Sequence, residues 1–254
     1  MERNKGIRYA GAKGKISRHI VRIINSILKP GQIYCEPFVG SGKIIQSVRS
    51  DVTRIGSDID PQIICLLRSV RDGWVPPDFV SEDDWKKWKK RSKTQVHPMC
   101  AFCGYACSFG GRYFEGYARS RKTEVNFAIS AKKSLIRQRP FLQGCIFKCR
   151  DYRSVYSRAH VYYCDVPYKG TKPVGSTKTR FDSDKFWEWA EELSKKSTVL
   201  VSEYECPIRA EVVWEKSIAA SIRTGTDGHG GSRGDGKRKL EKLFLLSKMK
   251  VGLF

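Results

Sequence analysis

The feature that most constrains this chain is an alternation of short β-like runs with amphipathic helical stripes. Residues 15–28 carry Ile16, Ile20, Ile23, Ile24 and Ile27 at helical spacing and stop at Pro30-Gly31. A β-like run from Ile33 to Phe38 follows, then the glycine turn VGSG, then KIIQSVRS, which the pattern makes a helix. Residues 54–59 form a second strand, and Asp60 before Pro61 is an N-cap with proline at the first helical position of QIICLLRSVRD. This is β-α-β-α, the opening of an open, mostly parallel sheet.

From about residue 73 the alternation is interrupted. GWVPPDFVSEDDWKKWKKRSK has a Pro-Pro loop and a capping box over Ser81 to Asp84 before a lysine-dense helix with Trp85 and Trp88. The run CAFCGYACSFGGRYFEGYARSRK is rich in glycine, aromatics and arginine. Val125, Ala128, Ile129, Leu135 and Ile136 then make an apolar stripe on a helix whose other face carries Lys132, Lys133 and Arg137. After Pro140 the alternation resumes with CIFKCRDY, HVYYCDVPY, a helix over 183–196 and TVLVSEY; EVVWEKS and KLFLLSK close the chain around a glycine-rich segment expected to be a mobile loop. The expected division is a core of residues 1–72 and 141–254 with an insertion over 73–140, a size that 254 residues can support.

Forty-eight Lys and Arg against 26 Asp and Glu give a formal charge of +22, which points to a polyanion partner, nucleic acid before an anionic membrane surface. No run of 18 apolar residues occurs and the opening MERNKGIRYA is not a signal peptide, so a soluble intracellular protein is expected. Nine scattered cysteines fit reduced thiols.

Two stretches carry chemistry. In an open α/β sheet, ligands sit at the carboxyl ends of the strands, where EPFVGSG stands. It lacks the Lys-Ser/Thr of a Walker loop and the full GxGxxG, while Asp58 lies about 20 residues on, where a nucleoside fold puts the carboxylate for ribose hydroxyls. A nucleoside site and a tight turn with a helix-capping acid both fit. The second stretch ends a strand in Asp165-Val166-Pro167-Tyr168. Asp165 and the Val166 carbonyl could accept the N–H groups of an exocyclic amine and aim its nitrogen at an electrophilic methyl, with Tyr168 stacked on a base that has left its duplex. The alternative is a strand-ending turn with a capping acid.

YAGAK, EPFVGSG, SDID, RDY and DVPY, in this order and with the insertion between SDID and RDY, together resemble the Dam-type DNA adenine N6-methyltransferases, especially phage-encoded members. The resemblance also takes in CSFGGRYFEGYAR, VSEYECP and WEK and spans nearly the whole chain. It implies a seven-stranded, mostly parallel, Rossmann-like methyltransferase sheet with an inserted helical target-recognition subdomain. It further implies S-adenosylmethionine as cofactor, duplex DNA as partner, a monomer, and action in the cytoplasm of a bacterial or phage-infected cell. Carried over by position, Tyr9 and Lys13 hold the methionine end of the cofactor. Glu36, Phe38, Gly40 and Gly42 form its turn, Asp58 holds its ribose, Asp151 lies near its adenine, and Asp165, Pro167 and Tyr168 match the catalytic tetrapeptide. The usual tetrapeptide is DPPY; Val166 still offers the carbonyl but adds an N–H, so a looser loop is expected, and Ala12 replaces the family's second glycine. A cytosine-N4 or RNA adenine methyltransferase, and a silent DNA-binding protein that keeps the fold, are the rivals.

Arg112, Arg119, Arg121, Lys122, Lys132, Lys133, Arg137 and Arg139 crowd beside Tyr113, Phe114 and Tyr117 with only Glu115 and Glu124 among them, which favours a phosphate-contacting surface over a solvated face. Arg233, Lys237, Arg238 and Lys239 in the loop 224–239 either close over DNA or merely solubilise. His97, Cys100, Cys103 and Cys107 are too closely spaced to surround a zinc ion well and read as core or interface residues. Cys145 and Cys149 read as buried strand thiols, and Trp85 and Trp88 as the insertion's own core rather than base-stacking platforms.

Overall fold

A computed structural model describes residues 6–9, 13, 14, 16–119, 126–155, 158–168, 175–177, 179–219 and 238–246. Its centre is a seven-stranded sheet of β1 (Ile33–Glu36), β2 (Thr53–Asp58), β3 (Cys145–Cys149), β4 (Val161–Asp165), β5 (Thr198–Glu203), β6 (Glu211–Ala219) and β7 (Arg238–Leu246). The spatial order is β3-β2-β1-β4-β5-β7-β6. The first five strands run parallel to one another, and β7 runs antiparallel between β5 and β6. With helices against it and a helical unit inserted after the second strand, this is the Rossmann-like methyltransferase architecture expected from the sequence. Among the described residues no helix is long and apolar enough to cross a membrane.

The pleat divides the core between two faces. Tyr34, Tyr163, Leu200 and Leu243 point to one side, where Ile20 and Ile24 of α1 (Ser17–Ile27) and Ile63 and Leu67 of α2 (Pro61–Arg71) cover them. Cys35, Tyr162, Cys164, Val199 and Val201 point to the other, against Phe186, Trp187 and Ala190 of α6 (Ser183–Ser194). Helix α2 starts as the sequence requires, with the Asp60 carboxylate accepting from the main-chain N–H groups of Gln62 and Ile63 and Pro61 in the first turn. The strand order reverses at β1, with β2 on one side and β4 on the other, so the crevice at their carboxyl ends is where a ligand of such a sheet sits.

The fold departs from the sequence pattern at four places. KIIQSVRS forms only a 3₁₀ turn over Ile45–Ser47, because β2 begins at Thr53 and too few residues remain to offset helix nucleation. In α5 (Phe127–Leu142) the buried stripe is Ala128, Ala131, Leu135, Gln138 and Leu142, whereas Ile129 and Ile136 stay exposed. The small alanines allow close approach, and Gln138 gains a bond from its Nε2 to the Ser41 carbonyl, 2.9 Å. Helix α5 also runs through Pro140, and the buried Arg54 guanidinium caps its end by donating to the carbonyls of Phe141 (3.1 Å) and Gln143 (2.6 Å). Lastly, Cys149 is exposed, while Cys145 is buried as expected.

The insertion does not form a core of its own: Trp85, Phe102 and Tyr105 join the cluster that holds Ile20, Ile63 and Leu67 on one face of the sheet. Ser81 caps α3 (Glu82–Arg91), and Trp85 is buried with its indole N–H bonded to Ser108 Oγ at 2.9 Å. Trp88 is half-buried, its ring stacked on His97 at 5.1 Å. His97 caps the short α4 (Pro98–Ala101), and Cys100, Cys103 and Cys107 are buried. The glycine-rich segment between β6 and β7, with Arg233 and Lys237, lies outside the described residues, as do Val125 and Ala12. Arg238 and Lys239 begin β7.

Candidate active site

Four of the parallel strands end in an acid: Glu36 on β1, Asp58 on β2, Asp165 on β4 and Glu203 on β5. In a chain of net charge +22 this gathers carboxyl groups at one edge of the sheet. The register of β7 adds a fifth. Lys242 pairs with Glu203, so Glu241 stands at the same carboxyl edge, and it is 3% exposed.

Lys13 enters this cluster from the other end of the chain. Its ammonium lies 2.8 Å from Asp165 Oδ1 and 2.7 Å from Glu241 Oε1, donates to the Tyr168 hydroxyl, and sits 4.3 Å from the centre of the Tyr168 ring. The Tyr168 hydroxyl in turn donates to Glu241 Oε1 at 2.7 Å, and its ring packs on Tyr204 with centres 4.4 Å apart. Burial pushes the Asp165 carboxyl up to about 6, with Lys13 opposing the rise and Glu241 adding to it. For Lys13, burial pulls the pKa down, but the two carboxylates outweigh it and hold the lysine charged. Burial, with the neighbouring carboxylates, also keeps the Tyr168 phenol protonated. Val166 is buried against the β4–α6 side of the core and Pro167 is exposed.

The glycine turn is organised around Asp58. Its Oδ2 accepts from the Gly40 N–H at 2.9 Å and its Oδ1 from the Asp60 N–H at 3.0 Å. Burial, only partly countered by these bonds, lifts its pKa to about 7. Gly40 has φ +47°, and a Cβ there would meet the Tyr9 ring at 3.2 Å, so the turn needs glycine both for its backbone and for the seat of Tyr9. Glu36 is buried, accepts from the Tyr34 hydroxyl at 2.7 Å, and is pushed well above the usual carboxylate range by burial. Phe38 stacks on Tyr152 at 5.4 Å and belongs to an aromatic cluster with Phe181 and Phe186. Asp151 caps the turn Tyr152–Ser154 and pairs with Arg153 at 2.7 Å.

Tyr9, Gly40 and Asp58 thus come together at the turn, while Lys13 joins Asp165 and Tyr168 at the tetrapeptide. Glu241 was not singled out from the sequence. The available signal was an acid two residues before the inward-facing Leu243, and so on the same face of the strand, among the basic residues Arg238, Lys239 and Lys242. A second unforeseen network links Asp60 to the loop after the tetrapeptide. Its carboxylate accepts from Ser176 N and Ser176 Oγ, both at 2.6 Å, and from the Tyr105 hydroxyl.

Of the basic residues in the insertion, Arg139 donates to the carbonyls of Val70 (3.0 Å), Gly73 (3.1 Å) and Trp74 (2.8 Å). Lys132 pairs with Asp78 at 2.9 Å, Arg112 with Glu115 at 3.1 Å, and Arg119 with Glu82. Lys133 and Arg137 are exposed on α5; Arg121 and Lys122 lie outside the described residues.

Among solved structures, the chain is similar to the rRNA methyltransferase aviRa of Streptomyces viridochromogenes, with 13% identity over 95% of this chain and 88% of that one, at a TM-score of 0.41. It is also similar to a protein of Listeria monocytogenes assigned to the class I S-adenosylmethionine-dependent methyltransferases, with 9% identity over 99% of this chain and 64% of that one, TM-score 0.41. No curated protein matches the chain. The family comparison falls on the elements that build the glycine turn and its acid: residues 9–96 match the D12 class of N6 adenine-specific DNA methyltransferases.

Proposed function

We propose that the protein transfers a methyl group from S-adenosylmethionine to N6 of an adenine swung out of duplex DNA. The observation that carries this reading is the position of Lys13 Nζ, a nitrogen donor held 2.8 Å from Asp165 at a strand's carboxyl end and 4.3 Å from the centre of the Tyr168 ring. An exocyclic amine needs the same acceptor for its N–H; Lys13 meets Tyr168 at the hydroxyl, and the ring would separately offer a face for the base.

In this reading the amine takes the place of the lysine at Asp165, and Glu241 keeps the displaced ammonium paired. Asp165 and the Val166 carbonyl accept the two N–H groups and draw the nitrogen lone pair out of the ring. Burial raises the Asp165 carboxyl and Lys13 opposes that rise, so a carboxylate from which the lysine has moved away gains basicity and can take up the proton the amine sheds. Tyr168 stacks on the base. The acid-lined edge also fits the cofactor, whose sulfonium and amino groups are cationic; Asp58 would hold its ribose, and Tyr9 and the Gly40 turn would flank it. When bound, the cofactor supplies an electrophilic methyl. Residues 73–140 would read the target, with Lys133 and Arg137 facing the phosphates.

The test is mass spectrometry of nucleosides from unmethylated DNA incubated with the protein and S-adenosylmethionine bearing a deuterated methyl group. Labelled N6-methyladenine is expected. Labelled N4-methylcytosine would change the base, and no label from folded, cofactor-binding protein would refute the reading.

A further inference from the structure

The strongest unassigned charge lies at the C-terminal half of α3. From Trp85 to Phe114 the chain contains no acid, yet it carries Lys86, Lys87, Lys89, Lys90, Arg91, Lys93 and Arg112. The first turn of α3 answers part of this charge: Lys86 pairs with Glu82 (3.5 Å) and Asp83 (3.4 Å), and Lys87 with Asp84 (3.5 Å). The last turn keeps its own. Three cations there, Lys89, Lys90 and Arg91, with Lys93 just beyond, far exceed the roughly half charge that a helix C-terminus needs to offset its dipole.

The shape of this end fits an extended anion. Lys90, Arg91, Lys93 and Thr94 line an open cleft of about 500 Å³. Arg91 lies over the Trp88 ring at 4.9 Å and Lys89 over the Trp85 ring at 5.1 Å, which fixes two of the cations on the surface before any ligand arrives. The place is set as well. Gln62, buried in the first turn of α2, donates from Nε2 to the Gln95 carbonyl at 2.6 Å and accepts from the His97 N–H at 3.3 Å. The backbone just beyond the cations is therefore fastened to the start of α2, two residues from the capping Asp60 and four from Asp58.

We propose that the cleft at the end of α3 grips the phosphate backbone of duplex DNA and so holds the duplex at the acid-lined edge of the sheet. This rests on the proposed function for the identity of the polyanion.

The experiment is fluorescence anisotropy of a short labelled duplex titrated with full-length protein over a range of KCl concentrations. Lys90→Ala with Lys93→Ala should weaken binding equally on unrelated sequences and flatten the slope of log affinity against log salt by about 2, one for each lost phosphate contact. A matched control, Lys185→Ala with Lys195→Ala on α6, should leave the slope unchanged. An unchanged slope in the α3 variant, an equal change in the α6 control, or wild-type protein that does not bind duplex would each overturn the proposal. The double alanine variant should melt with the wild type, since both side chains are exposed; Lys90→Gln with Lys93→Gln provides a second pair should it not. Methyl transfer by the wild type with an unaltered α3 slope would sink the surface alone, whereas an altered slope without any methyl transfer would sink the reaction and leave the surface standing.

Discussion

Replacing Asp165 by asparagine should make the protein more stable while ending methyl transfer. The carboxyl is raised from its ordinary 3.8 to about 6 chiefly by burial, even with the Lys13 ammonium 2.8 Å away. A folded pKa above the unfolded one means that the native state binds the extra proton. Stability attributable to this group therefore falls as pH rises through the interval from about 4 to about 6, and stays lower above it. A rise of about two at 1.36 kcal/mol each sets an upper bound of about 3 kcal/mol for the cost of keeping the carboxylate ionised at neutral pH. Asparagine removes that cost and keeps an acceptor for Lys13, whose ammonium also retains Glu241 at 2.7 Å. After allowance for a weaker bond to Lys13, a gain of about 1–2 kcal/mol remains, or about 2–8 °C in melting temperature for a chain of this size. Wild type and variant should be melted side by side across pH 4 to 8. Their difference should vanish at the acid end and reach its full size above about 6. A variant less stable than wild type at neutral pH, by an amount growing with pH, would show that Lys13 makes the carboxylate a net stabiliser and would refute the argument.

Glu241→Gln should shift the acid limb of the methyl-transfer rate to lower pH, since the charge on Glu241 helps hold Asp165 up; a limb that does not move would leave Glu241 with no electrostatic hold on the acceptor. Arg139→Ala should cost about 2–4 kcal/mol in denaturant unfolding, because three main-chain carbonyls lose their donor, and should leave the salt slope of DNA binding unchanged; a flatter slope would put this guanidinium on the DNA after all. In β2, a Cβ on Gly56 would stand 2.8 Å from Val39 Cγ2 and 3.0 Å from the Phe147 ring, so Gly56→Ala should destabilise by about 1–3 kcal/mol; unchanged unfolding would mean that the strand and the turn yield freely there.

What the sequence could reveal follows the range of the interactions. The strands, the Asp60 cap and the ends of α2, α3 and α6 depend on residues a few positions apart, and period and capping chemistry locate them. The 3₁₀ turn at Ile45–Ser47 is not legible locally, because Ile44, Ile45 and Val48 satisfy either kind of helix and only the nearby start of β2 decides. Of the α5 stripe, Ala128 and Leu135 are buried as the spacing predicts, but Ile129 and Ile136 are not, because the adjacent face with Ala131 and Gln138 turns inward and Gln138 reaches Ser41, 97 positions away. Motif resemblance reached Lys13 and Asp165 separately, but nothing local shows that they pair, and Glu241 belongs to no motif.

These long-range contacts also bear on why so basic a chain can bury acids together. Asp165 and Glu241 would repel each other at the closed edge of the sheet if nothing stood between them, and an isolated pair would titrate toward neutrality. One ammonium, within 2.8 Å of both, allows Asp165 to remain an acceptor at neutral pH. In the reaction we propose, an incoming amine would take the place of that ammonium at the same carboxylate. Charge is thus arranged on two scales. Buried acids with one lysine hold a single nitrogen at the sheet edge, while the exposed cations of α3, outside that cluster and fastened to α2, are free to address a polymer of phosphates without disturbing it.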